Sequence, residues 1–111
     1  MNQKKYLSYV CDGKIELNII SEGDFVGIIQ KVNSDGITFF LYNIVDEKNH
    51  NCNLALVDKQ FKNIKGDVRK IHSDDGKYFY MMRFTHIGFF NYIKFKQIIN
   101  YLKKRQKHNI V

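Results

Sequence analysis

Val68-Arg69-Lys70-Ile71-His72-Ser73-Asp74-Asp75-Gly76-Lys77-Tyr78-Phe79-Tyr80-Met81-Met82-Arg83-Phe84 is the stretch that decides the fold. Two runs rich in β-branched and aromatic residues flank Ser73-Asp74-Asp75-Gly76, and the Asp-Gly pair suits a tight hairpin. On the second run Tyr78, Tyr80 and Met82 fall on one side, and Phe79, Met81 and Arg83 on the other. A strand that is apolar on both sides predicts a closed or tightly curved sheet rather than one flat open face.

Upstream, the same period of two continues. Ile15-Glu16-Leu17-Asn18-Ile19 alternates as a half-buried strand does, and Ser21-Glu22-Gly23-Asp24 reads as a turn. Phe25 to Val32 and Ile37 to Val45 flank Asn33-Ser34-Asp35-Gly36, a second hairpin signal in which Gly36 is expected to take a positive φ. Asp46 to Asn51 is a polar loop, and Asn53-Leu54-Ala55-Leu56-Val57 reads as another short strand. Downstream the period changes. Tyr92, Phe95, Ile98, Ile99 and Leu102 recur at helical spacing with Lys94, Lys96, Gln97, Lys103 and Lys104 between them. Asn91 is the expected N-cap, and the cations near Lys104 suit the negative pole of the helix. The expected architecture is a mainly β domain: a small antiparallel β-barrel of six strands (five to seven) with a C-terminal amphipathic helix.

The chain of 111 residues fits a single domain over 1–111, with a core at about 9–104, a loose start over about 1–8 and a basic tail over 103–111. Its apolar share of 44% and aromatic share of 14% supply one packed core. No apolar run approaches the length that spans a bilayer. Ser8, Cys11, Asp12 and Lys14 interrupt any signal core after Met1-Asn2-Gln3-Lys4-Lys5, so a cytoplasmic location is expected. Cys11 and Cys52 form no C-x-x-C pair and read as two reduced, buried thiols. The net charge of +7 favours an anionic partner: nucleotide, nucleic acid or acidic protein surface. Lysine, however, greatly outnumbers arginine, which occurs only at Arg69, Arg83 and Arg105. That bias matches an AT-rich coding sequence and weakens any argument from lysine count.

Residues for catalysis are not assembled in the sequence. His50, His72, His86 and His108 stand apart, with no partner at metal-ligand spacing. Asp74 and Asp75 belong to a turn, and Gly23, Gly27 and Gly36 are isolated in β context rather than grouped in a phosphate loop. No catalytic residue, metal site or cofactor is expected, and the chain reads as a binding module rather than an enzyme. Lys103-Lys104-Arg105-Gln106-Lys107-His108 is the densest charge cluster, and it reads first as a helix end. Phe39, Phe40 and Tyr42 would be able to stack bases on an exposed sheet, although a barrel this small needs most aromatics for its core.

Several features occur in a suggestive order: a basic N-terminal segment, a hairpin turn ending in Gly36-Ile37, Gly66-Asp67-Val68-Arg69, then Tyr78 and Met82-Arg83-Phe84, then the helix Tyr92 to Leu102. Over Lys4 to Gln106 this resembles the PilZ domain, a bacterial six-stranded barrel that serves as a receptor module for cyclic di-GMP. The resemblance is best in the strand and helix parts and departs at the ligand motifs. The family's Arg-x-x-x-Arg segment is here Lys4-Lys5-Tyr6-Leu7-Ser8-Tyr9, without arginine. Its Asp/Asn-x-Ser-x-x-Gly motif is here Lys31-Val32-Asn33-Ser34-Asp35-Gly36. Gly36 matches, Asn33 stands in place of Ser, and Lys31 stands in place of the acid or amide. Lysine keeps the charge without the planar fork of arginine.

The resemblance implies a non-enzymatic regulatory module in cyclic di-GMP signalling, either a weak or atypical nucleotide receptor or an adaptor for another signalling or motility protein. If the nucleotide binds, Lys4, Lys5, Lys31, Asn33 and Gly36 are expected to line its site. The alternative is a basic small-barrel nucleic-acid-binding protein, marked by aromatics and lysines on one exposed sheet face. A third reading is protein docking, marked by exposed Phe89, Phe90 and Tyr92 just before the helix.

Overall fold

The computed structural model describes residues 8–19 and 22–107. Six strands and one helix follow in order: β1 Tyr9–Ile19, β2 Gly23–Asn33, β3 Gly36–Leu41, β4 Asn49–Leu56, β5 Lys59–Asp74, β6 Lys77–His86 and α1 Phe89–Lys107. They form a closed antiparallel barrel in the order β1-β2-β3-β6-β5-β4. Two pairings are non-sequential. Ile37 lies opposite Met82 where β3 meets β6, and Ile15 opposite Leu54 where β1 meets β4. The expected six-stranded barrel with a terminal helix is the observed architecture.

Alternation places the core. Ile15, Leu17, Ile29, Val32, Ile37, Phe39, Leu41, Leu54, Leu56, Phe61, Ile64, Val68, Tyr80 and Met82 are all buried in the barrel interior. The expected facing of Tyr80 and Met82 away from Met81 and Arg83 holds, since the latter two are exposed. Cys11 and Cys52 are free and buried. Burial pushes the Cys52 thiol up to about 12, and burial together with the Asp12 carboxylate raises that of Cys11.

The turns separate what is legible from what is not. The β5–β6 hairpin turns at Asp75-Gly76, with φ of 52° and 79°, the paired positive angles of the most favourable two-residue loop. The β4–β5 hairpin does the same at Val57-Asp58, with φ of 47° and 63°, a turn in which Asp58 is a favourable residue and Val57 is not. The expected strand Asn53 to Val57 therefore ends one residue early, and β5 starts at once at Lys59. Gly36 is not among the positive-φ glycines. A Cβ there would run into the Met82 carbonyl, so glycine serves close strand approach rather than turn conformation. Strand three ends at Leu41, and residues 42–48 form the loop into β4. This loop is pinned from inside: the Val45 N–H donates to Tyr80 Oη at 2.9 Å, and His50 Nε2–H donates to the Asp46 carbonyl at 2.7 Å.

The helix starts earlier than its best capping residue. Gly88, at φ 84°, accepts the first helical bond from the Tyr92 N–H, so it is the cap and Asn91 lies inside the first turn. The Asn91 amide instead donates to the Ile87 and Lys62 carbonyls, each at 2.9 Å, tying the helix start to β5. Phe95, Ile98, Ile99 and Leu102 are buried, and Phe95 meets Phe61 and Phe84 edge to face. Tyr92, expected in that stripe, is exposed. At the far end Gln106 bonds both the N–H and the carbonyl of Val10 on β1, as a neighbouring strand would.

Candidate ligand-binding site

A cleft opens in the barrel surface at the β2–β3 turn. Asn33 lies opposite Gly36, leaving Ser34-Asp35 as a two-residue loop in which neither φ is positive. Asn33 Oδ1 accepts the Asp35 N–H at 2.7 Å, the local bond that lets asparagine shape a turn. The Asp35 carbonyl then accepts the Phe84 N–H at 2.8 Å, which fixes the turn against β6. Because Gly36 has no side chain and lies opposite Arg83, the surface is indented there. The resulting cleft of about 340 Å³ is lined by Ser8, Asn33, Asp35, Gly36, Thr38, Ile71, Met81, Met82 and Arg83. Its floor is thioether and aliphatic, and its rim offers an amide, two hydroxyls, a carboxylate and a guanidinium. That mixture suits a flat, partly apolar ligand with polar edges.

Of the five expected ligand residues, Asn33 and Gly36 line the cleft. Lys31 does not: it is exposed on the outer face of β2, opposite Thr38, which does line it. Lys4 and Lys5 lie outside the described residues. The sequence reading places Met82-Arg83-Phe84 among the structural parts, and Arg83 nevertheless contributes a guanidinium to the rim. Its nearest acid is Asp67, at 3.9 Å between exposed groups, a separation at which an ion pair holds weakly.

The fold places this cleft among known structures. The chain is similar over 99% of its length to all of the PilZ domain of YcgR from Escherichia coli, a structure described with cyclic di-GMP, with a TM-score of 0.60 and 12% identity. This is a PilZ-like domain. The PilZ-like barrel is similar, too, to the inhibitor of motility MotI/DgrA of Bacillus subtilis, with a TM-score of 0.73 and 12% identity over the whole of this chain. It spans only 55% of that protein's length. At such identities the likeness is one of fold. No family model matches the chain and no curated protein does.

The aromatics divide as barrel geometry requires. Phe39 is fully buried, whereas Phe40 is half-buried and Tyr42 exposed. On the outer face they form a row with β6 and β5: Tyr42 packs on Phe40, Phe40 on Phe79, and His72 stacks on Phe79 at 4.3 Å. Lys77 Nζ sits 5.1 Å from the Phe40 ring centre. Phe89 and Phe90 are 70% and 79% exposed in the first turn of α1, rather than before it. Among the described residues no group of His, Cys, Asp or Glu is placed to hold a metal ion, and no helix is long and apolar enough to cross a membrane.

Proposed function

We propose that this PilZ-like domain is a non-enzymatic regulatory module of cyclic di-GMP signalling that binds the nucleotide weakly, at the β2–β3 cleft, in the cytosol. The carrying observation is that the cleft forms at the hairpin ending in Gly36, the one position at which the ligand pattern of the PilZ resemblance is kept. Its apolar floor offers a surface for a guanine ring, while Asn33, Thr38 and Arg83 offer hydrogen-bonding edges. Ser8, where the described chain begins, lines the same cleft. Affinity in the range of about 100 μM, or roughly −5.5 kcal/mol, is expected of such a site without an N-terminal arginine fork. Calorimetry with cyclic di-GMP tests this: saturable heat is expected, and no heat at high micromolar ligand with folded protein removes the receptor reading.

A second reading, an adaptor, is favoured by Phe89 and Phe90. Two rings so exposed on one helical turn are unusual for a free surface, and α1 carries Lys94, Lys96, Lys103, Lys104, Arg105 and Lys107 without one acidic residue. An acidic protein partner with an apolar centre fits this face. A photo-crosslinker at Ile93 is expected to trap such a partner in cells, and the F89S/F90S variant to lose it; equal trapping rejects the adaptor. The nucleic-acid alternative draws on the outer aromatic row, but those rings already pack against one another, edge-on or tilted at Phe40 and stacked at His72 and Phe79. A gel-shift series with single-stranded oligonucleotide that stays flat at low salt removes it.

A further inference from the structure

Two of the three arginines of the chain stand on one wall. On β5 Arg69 lies opposite Met81, and on β6 Arg83 lies opposite Asp67, with the inward-facing Val68–Met82 rung between, which makes the two arginines diagonal neighbours on one face. Both point outward, because Val68 and Met82 beside them are buried in the barrel. Asp67, Arg69, Met81 and Arg83 enclose a hollow of about 280 Å³. It shares Met81 and Arg83 with the β2–β3 cleft, so the two hollows form one trough across β3, β6 and β5.

The choice of residue is informative here. Where lysine is the composition's default cation, a guanidinium at two diagonal positions of one face is not explained by surface charge alone. Arginine adds a planar fork that grips oxyanions with two parallel N–H bonds. Neither side chain is committed elsewhere. Arg69 has no ion-pair partner among the described residues, and Arg83 faces only Asp67, at 3.9 Å. Asp67 in turn accepts a bond from Asn49 Nδ2 at 3.0 Å, so Arg83 is free to turn away without stranding that carboxylate. The remaining arginine, Arg105, donates to Tyr101 Oη on α1.

We infer that Arg69 and Arg83 form a phosphate-gripping wall, and that the trough takes a nucleotide with its base on the exposed Met81 and Ile71 and its phosphate on the two guanidinium groups. This deepens the receptor reading and rests on it for the base, but the phosphate wall is tested separately. Both residues are exposed, so their substitution is expected to leave the melting temperature unchanged. Cyclic di-GMP affinity should fall at least tenfold in R69Q/R83Q. It should fall less in R69K/R83K, which keeps charge and loses the fork, and stay unchanged in the distant control K59Q/K62Q.

Inorganic pyrophosphate, followed by the NMR signals of the arginine side-chain N–H groups, should shift Arg69 and Arg83 and leave Arg105 in place. If wild type and R69Q/R83Q bind cyclic di-GMP equally, the phosphate wall is wrong while the receptor reading stands. If cyclic di-GMP does not bind but pyrophosphate shifts both arginines, the wall stands and that receptor reading fails. If neither ligand moves the arginine signals, the inference is overturned.

Discussion

Replacing Tyr80 by Phe removes one oxygen from the barrel interior and leaves the rest of the ring in place. In the wild type that oxygen accepts the Val45 N–H at 2.9 Å, while the ring, fully buried, lies against Phe39 at 5.7 Å between centres. The stacking contact and nearly all apolar burial survive the change. What is lost is a neutral hydrogen bond, worth about 0.5–1.5 kcal/mol net, and what is gained is a buried orphan N–H, costing about 1–3 kcal/mol. Water can offset that cost only if the 42–48 loop swings outward. Three bonds oppose this: His50 to the Asp46 carbonyl, the Lys70 N–H to the Glu47 carboxylate at 3.0 Å, and the Val68 N–H to the Lys48 carbonyl at 3.0 Å. The expected loss is therefore about 2 kcal/mol. For a domain of this size it corresponds to a fall in Tm of roughly 8 °C. Urea unfolding should show a lower midpoint at unchanged slope, and hydrogen exchange should show the Val45 amide losing protection. A loss below about 0.5 kcal/mol, or a Val45 amide as protected as before, would refute the assignment of Tyr80 as the loop's internal anchor.

Two further predictions follow from the same structure. The Cys52 thiol keeps its proton to about 12 when folded, whereas in the unfolded chain it ionises near its ordinary value of 9.0. Its contribution is full below about pH 9 and is lost as pH rises toward 12, at up to roughly 1.4 kcal/mol per pH unit. Denaturation midpoints of C52A should thus decline less steeply than those of wild type over that window, and parallel curves would count against the buried thiol. At the β4–β5 turn, Val57 is a β-branched residue held at φ 47°, a conformation costing about 1–2 kcal/mol for ordinary side chains. V57N should raise stability by roughly 1 kcal/mol in thermal melts, and a lower Tm would show that Val57 packing outweighs its backbone strain.

The strands were legible where local chemistry and tertiary demand agree. Asp75-Gly76 announces the turn it makes, and the alternation of Tyr78, Tyr80 and Met82 points to the side that is buried. They were hidden where the two disagree. Valine is among the least expected residues at positive φ, so Val57 masks a turn and Asn53–Val57 reads as one strand end rather than a hairpin. The start of β5 is hidden for another reason. Asn63 adopts φ 61° where the register slips between Cys52 and Leu54, so the buried Phe61 and Ile64 stand three apart instead of two. Within the cleft, Asn33 and Gly36 could be named because the turn and its glycine are local. Arg83, Met81 and Ile71 could not, since they reach Gly36 and Thr38 only through the β3–β6 and β5–β6 registers, which no local signal encodes. Lys31 shows the limit of motif position as a guide: it occupies the expected slot on the outer face, opposite Thr38, yet does not line the cleft.

Closure of the barrel has a consequence for how this domain can be joined by others. β1 bonds both β2 and β4, so among the described residues the ring of strands closes without an edge strand. Over the closed wall, a partner finds no strand edge on which to add a strand of its own. Association on that wall must be written in side chains, on the trough, the aromatic row or the first turn of α1. Recruitment can therefore be altered by single surface substitutions that leave the hydrogen-bonded wall of the barrel untouched.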